Sequence, residues 1–146
     1  MKNQTQVPFL LSLFRLNVAA RRAFAEQMAG EQWAIDAGMR PGCFGVLRVV
    51  AASDQPLSQR ELSDRLGMDP SDVVGLVDVV EEAGFVTRRR DEADRRRYAL
   101  EPTEAGWEAV ARFDRVAEVV SDRVLATLGD ADRAELERLI DLVLAS

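Results

Sequence analysis

The sequence predicts a mainly α-helical fold: six helices, with one small β-hairpin set between the fourth and the fifth. Three observations lead there. Apolar residues recur at three- and four-residue spacing through most of the chain, the period of one helix face. The segments that carry this period are bounded by residues that cap, start or stop helices. Only the stretch from Phe85 to Leu100 departs from it, and that stretch holds two arginine triplets, 88–90 and 95–97, around the acidic link Asp91-Glu92-Ala93-Asp94.

The elements follow in order. Residues 8–29 form the first helix, with Pro8 at its start and Leu10, Leu13, Asn17, Ala20, Phe24 and Met28 on one stripe. Leu11, Phe14, Val18 and Ala25 widen that stripe past half the girth, so the helix has two surfaces to bury. Gly30 ends it, and Trp33 to Ala37 add a short turn. Pro41-Gly42 opens a second helix over 42–53, closed by Asp54-Gln55-Pro56. Ser58 and Glu61 have capping-box spacing for a short third helix, which Gly67 stops. Asp69 caps the fourth helix, Pro70 fills its first turn, and Val73, Leu76, Val77 and Val80 give it a buried face up to Gly84. The third and fourth helices make a helix-turn-helix candidate.

The hairpin comes next. Strand residues alternate from Phe85 to Arg90, Asp91 to Asp94 form the tip, and Arg95 to Leu100 return. Pro102 ends the strand and Thr103 caps a long fifth helix, 103–128, striped with Trp107, Val110, Phe113, Ala117, Val120, Val124 and Leu128. Gly129 breaks it. Asp130 caps a sixth helix to Ala145, apolar at Leu136, Leu139, Ile140, Val143 and Leu144.

Composition narrows the function. The chain has 146 residues, 47% hydrophobic and 30% charged, as expected of one globular domain with a real core. It has no histidine and one cysteine, Cys43. That removes the commonest general base, any Ser-His or Cys-His nucleophile, an internal disulfide and a zinc site of ordinary type. An enzyme is therefore disfavoured, and no metal or cofactor is expected. No apolar run approaches a bilayer span, and Arg15 interrupts the short apolar run near the N-terminus, which lacks a signal peptide's pattern. The expectation is a cytoplasmic protein.

Net charge is −6, yet the segment from Arg88 to Arg97 holds six arginines against three acids. A basic hairpin on an acidic body reads in two ways. It can touch a nucleic-acid backbone, acting semi-independently because salt screens charges beyond about 8 Å. Or its charges guard a sheet edge against pairing with other chains.

Position separates these readings. The run Gly84-Phe85-Val86-Thr87-Arg88-Arg89, then Asp91, Asp94-Arg95-Arg96 and Thr103-Glu104-Ala105-Gly106 resembles the MarR family of winged helix-turn-helix regulators, with matching spacing and the same order of elements along the chain. The resemblance implies a winged helix-turn-helix core at 42–102 and a helical dimerisation region from 8–37 and 103–146, together one domain over 1–146. It implies a homodimer whose first, fifth and sixth helices interlock with the partner's, in keeping with their broad apolar faces; a monomeric bundle is the alternative. Two such lobes meet half-sites of a pseudo-palindromic DNA duplex about one helical turn apart.

Roles carry over position by position. The helix from Asp69 enters the major groove, with Ser71, Asp72, Val74 and Gly75 on its exposed N-terminal part. Gln59, Arg60 and Arg65 are placed for phosphate contact. In the wing, Asp94 matches a position that orients a nearby arginine. Arg96 matches the arginine inserted into the minor groove, and Arg88, Arg89, Arg90 and Arg95 hold phosphates. An effector pocket for a small aromatic or phenolic compound would draw on Arg15, Phe44, Arg48 and Trp107; the plainer reading makes the two aromatics core and the arginines solvated or ion-paired. Cys43 reads as a redox sensor near a helix N-terminus or as a structural thiol.

Three departures qualify the match. The recognition helix, Asp69 to Ala83, has no basic residue and five acids; Pro102 stands where leucine is usual; and the body is acidic. They predict wing-dominated, salt-sensitive binding. The functional expectation is a dimeric transcriptional repressor released by a small molecule. The alternative is a ligand-sensing or protein-interaction module of the same fold with weak or lost DNA binding.

Overall fold

A computed structural model describes residues 8–146; the few residues before Pro8 lie outside the described part. In chain order the elements are α1 (Phe9–Met28), α2 (Gln32–Asp36), α3 (Cys43–Ala52), α4 (Gln59–Leu66), α5 (Pro70–Glu82), β1 (Val86–Arg90), β2 (Tyr98–Pro102), α6 (Glu104–Val124) and α7 (Asp130–Leu144). The fold is mainly helical with one two-stranded antiparallel hairpin. Seven helices are described where six were expected. The extra one is α2, which the sequence offered only as a turn.

The chain divides into two compact units, one spanning Met28–Arg115 and the other built from the chain up to Gln27 with Val116–Ser146. The first is wider than the expected 42–102 lobe, and aromatic packing explains why. Trp33 of α2 meets Phe113 of α6 edge-on at 5.0 Å and Phe85 at 6.4 Å, while Phe44 of α3 meets Phe113 at 5.3 Å. These contacts tie α2 and the first half of α6 to α3 and the hairpin. Around them Val46, Leu47, Val50, Leu62, Val73, Val77, Val80, Val86 and Leu100 are buried; all but Val46 lie on faces that helix and strand periodicity marked. Cys43 is fully buried beside them. Burial pushes its thiol up, against the opposing pull of the Arg40 amide, so it is poorly suited to thiolate chemistry.

The second unit is different in character. In α1, Phe9, Leu10, Leu11, Leu13, Phe14, Leu16 and Val18 are exposed. Helix α7 has no buried residue, and Val143 and Leu144 are 70% and 77% exposed. Ion pairs of Arg123 with Glu26 and of Arg133 with Asp122 lie within this unit. Two boundaries need correction: α6 ends at Val124 rather than 128, and Gly129, not Asp130, occupies the N-cap of α7 without a side-chain cap. No described helix is long and apolar enough to cross a membrane.

Candidate nucleic-acid interface

Local chemistry fixes the helix-turn-helix. Ser58 Oγ accepts from the Glu61 amide at 3.2 Å, and the Ser58 amide donates to Glu61 Oε2 at 2.8 Å, closing the capping box of α4. These bonds, the Ser58 amide foremost, hold the Glu61 carboxyl below its ordinary range. Gly67, at φ 61°, ends α4 in the left-handed region. The Ser63 hydroxyl donates to the Met68 carbonyl at 3.0 Å, clipping the turn. Asp69 Oδ1 then accepts from the amide of Ser71 at 2.8 Å and from its hydroxyl. Those bonds, the hydroxyl's first, hold Asp69 below its ordinary range.

Helix α5 buries Val73, Leu76, Val77 and Val80. Its outer line is Ser71, Gly75, Asp78 and Glu82, flanked by exposed Asp72 and Val74. The expected groove-facing residues Ser71, Asp72, Val74 and Gly75 are thus at the surface. The Ser71 hydroxyl, however, already serves the cap.

The wing grows from the end of α5. Its register pairs Val86 with Pro102, Arg88 with Leu100 and Arg90 with Tyr98. Leu57 adds an isolated bridge on the other side of β2, exchanging hydrogen bonds with Leu100 at 3.3 and 2.7 Å. The second strand starts at Tyr98, not Arg95. The cause is two side-chain turns in the tip: Asp91 Oδ1 accepts from the Ala93 amide at 2.9 Å, and Asp94 Oδ1 from the Arg96 amide at 3.0 Å. Arg95 to Arg97 are drawn into that tip. Asp94 therefore bonds Arg96 through the main chain, leaving its guanidinium outside the turn.

The six wing arginines separate into distinct environments. Arg88 Nη2 donates to Asp78 Oδ1 at 2.9 Å, and its Nε lies 3.4 Å from Glu81 Oε2 without hydrogen-bond alignment. At 22% side-chain exposure it faces the acids of α5, a different surrounding from the open phosphate position expected of it. Arg97 pairs with Glu61 at 3.2 Å, and Arg89 more loosely with Glu101 at 3.7 Å. Arg90 lies over the Tyr98 ring, 5.8 Å from its centroid. Among the described residues, only Arg95 and Arg96 of the six lack an ion pair or ring contact, and both are exposed. Between the start of α4 and the wing lies a cleft of about 510 Å³, lined by Ser58, Gln59, Arg60, Glu61, Asp64, Arg96, Arg97 and Tyr98. It brings the expected phosphate residues Gln59 and Arg60 together with Arg96. Arg65 is exposed on α4 outside the cleft.

Two residues were missed from sequence. Arg97 joins the wing to α4. Arg40, in the turn before α3, places its guanidinium over Gly75: a Cβ there would lie 3.8 and 3.9 Å from Nη1 and Nη2. A Cβ at those distances would be in ordinary contact, so the guanidinium does not itself require glycine at 75. Of the proposed effector residues, Phe44 stacks on Phe113, Arg48 pairs with Asp114 at 3.2 Å and Trp107 is half exposed, all in the Met28–Arg115 unit. Arg15 is exposed on α1 in the other unit. Among the described residues no acidic or cysteine cluster could hold a metal.

This arrangement has known counterparts. The sequence profile of the MarR family matches residues 37–97. A candidate transcriptional regulatory protein for the hcr operon of Thauera aromatica is 34% identical over 128 residues, 88% of this chain and 74% of that one. The HTH-type transcriptional repressor YetL of Bacillus subtilis is 30% identical over 104 residues, 70% of this chain and 59% of its own length. The crystal structure of CouR from Rhodococcus jostii RHA1, bound to p-coumaroyl-CoA, superposes with a TM-score of 0.72 at 25% identity, covering 96% of this chain and 92% of that one. With the helix-turn-helix, the wing and these relatives in agreement, the chain belongs to the MarR family of transcriptional regulators.

Proposed function

We propose that the protein is a homodimeric repressor that holds a pseudo-palindromic duplex through α5 and the wing and releases it on binding a small aromatic or phenolic compound. The observation that carries the DNA part is the wing tip, where Asp94 fixes the backbone of Arg96 and leaves Arg95 and Arg96 exposed without ion pairs. Such a guanidinium suits a narrow, electronegative minor groove, while Gln59 and Arg60 across the cleft suit the adjoining phosphates. Self-association is supported by the apolar surfaces of α1 and α7. Burying one such side chain gains roughly 1.5–3 kcal/mol, and twelve exposed large apolar residues lie on these two helices. YetL's name as a repressor supports repression, and the p-coumaroyl-CoA bound to CouR, which carries a phenolic ring, supports a ligand of aromatic or phenolic type.

Selection of bound duplexes from a random pool, followed by titration across salt, tests the reading. An enriched palindrome bound with a steep salt slope is expected. R96A should weaken binding to it roughly 10- to 100-fold, the scale of losing one buried charged contact. Undiminished binding by R96A would sink the wing assignment. A second reading, a ligand-sensing or interaction module with little DNA affinity, is favoured by Asp72, Asp78 and Glu82 on the outward surface of α5. A pool without enrichment would favour it.

A further inference from the structure

The outer surface of α5 carries no basic side chain of its own, and the structure shows where one comes from. The α2–α3 turn is docked against α5. Gly42 sits at φ 97°, and a Cβ there would lie 2.8 Å from Leu76 Cδ1, so only glycine lets the turn come so close. The turn is locked from within. The Cys43 amide donates to the Arg40 carbonyl at 3.1 Å, and the Arg40 amide is 3.4 Å from the buried Cys43 Sγ, which accepts its hydrogen. Arg40's main chain is thereby fixed while its side chain remains exposed. Its guanidinium lies beside Gly75, on the outward line between Ser71 and Asp78, where a Cβ would be in ordinary contact with it. Among the described residues no carboxylate lies in ion-pair reach of Arg40, in contrast to Arg88 on the other flank of α5, which is held by Asp78 and Glu81.

We propose that Arg40 is a specificity-determining residue of the major-groove surface, supplying from the α2–α3 turn the guanine-reading guanidinium that α5 lacks. The inference rests on the DNA-binding reading above. A planar fork with paired donors matches guanine O6 and N7 in a fixed geometry, whereas an ammonium reaches the same acceptors as a mobile point charge without that fixed fork. The turn lends the helix a donor, which lies over Gly75.

The test compares wild type, R40A and R40K by duplex selection and by affinity against salt. Wild type should enrich a guanine at one position of each half-site. R40K keeps the positive charge and should keep the salt slope, yet weaken discrimination at that position, up to the roughly 10- to 100-fold that a bidentate pair supplies. R40A should lose the same preference, with a melting temperature near wild type because the turn is held by the main chain. If both variants keep the wild-type preference at every position, Arg40 does not read a base. If R40A weakens all sequences equally, lowers the salt slope by about one and relaxes no position, it holds a phosphate instead, and the proposal is overturned. A wild type that enriches no duplex fails the DNA-binding reading itself, and this inference with it. The two failures are thus told apart by the wild-type selection alone.

Discussion

Arg88 illustrates how one residue's role depends on neighbours far along the chain. Its triplet reads as three similar phosphate ligands, but the fold turns Arg88 onto Asp78 and Glu81 of α5. Those partners are ten and seven residues away in sequence, and nothing in a strand's alternation announces a helix acid opposite. The same bond neutralises part of the acidity that made α5 look unfit for DNA. Replacing Asp78 and Glu81 by Asn and Gln should therefore tighten duplex binding several-fold and steepen its salt dependence, read by fluorescence anisotropy. Binding unchanged in both respects would show that the pair lies outside the interface. Glu61 gives a prediction in pH. Its folded carboxyl is held down chiefly by the Ser58 amide, so the stabilisation it adds is present above the unfolded value near 4.3. That stabilisation fades as pH falls through the lower folded value. The melting temperature should accordingly drop below about pH 4.3, and E61Q should flatten that part of the profile. The effect is modest, because the group is exposed to solvent.

At the level of elements, helix ends were the most legible part of the sequence. Ser58 with Glu61, Gly67, and Asp69 with Pro70 act on residues at most five positions away, and each works as its type and spacing imply. The wing's second strand was less so. Sequence alternation runs on through Arg95–Arg97, but Asp91 and Asp94 consume those residues in turns, and strand geometry yields to side-chain bonding. Helix α2 has five residues and no capping side chain. Its anchor is Trp33 against Phe85 and Phe113, which only tertiary structure supplies. The start of α6 shows why Thr103 and Gly106 stand three apart. The Thr103 hydroxyl donates to the Gly84 carbonyl and accepts from the Gly106 amide, while the Thr103 amide donates to the Phe85 carbonyl. A Cβ on Gly106 would lie 2.0 Å from Phe85 oxygen, a backbone atom with little room to give. G106A should cost about 1–3 kcal/mol or more in chemical denaturation. A wild-type midpoint would show that the junction tolerates a shift.

Over the whole molecule, charge and apolar surface are partitioned. Residues 88–97 of the wing hold six arginines against three acids while the chain as a whole stands at −6, so affinity for DNA should fall steeply with salt while the acidic remainder adds repulsion. The apolar surface on α1 and α7 belongs to the other unit. Changing Val143 and Leu144 to Glu should shift sedimentation from dimer to monomer. It should also lower operator affinity at least tenfold, since two linked half-sites bind far better than one. Sedimentation unchanged by both charges would take these two residues out of the proposed dimer contact. The apolar excess of these helices was visible in sequence; which side chains stay uncovered within one chain was not, because periodicity marks a face without naming what meets it.

The bridge between Leu57 and Leu100 has a mechanical consequence. Two strands alone make a marginal hairpin, but here the root is stitched to the α3–α4 loop, and Arg97 adds a tie to α4. Beyond Arg97 the tip has only its own turns. The wing is thus a cantilever, clamped at one end and free at the other. On the proposed DNA-binding reading, its free end would let Arg95 and Arg96 follow minor grooves of differing width with little strain on the clamp. The backbone that carries α5 and Arg40 lies on the clamped side and would have less latitude, so tolerance of sequence and insistence on it would fall to opposite ends of one lobe.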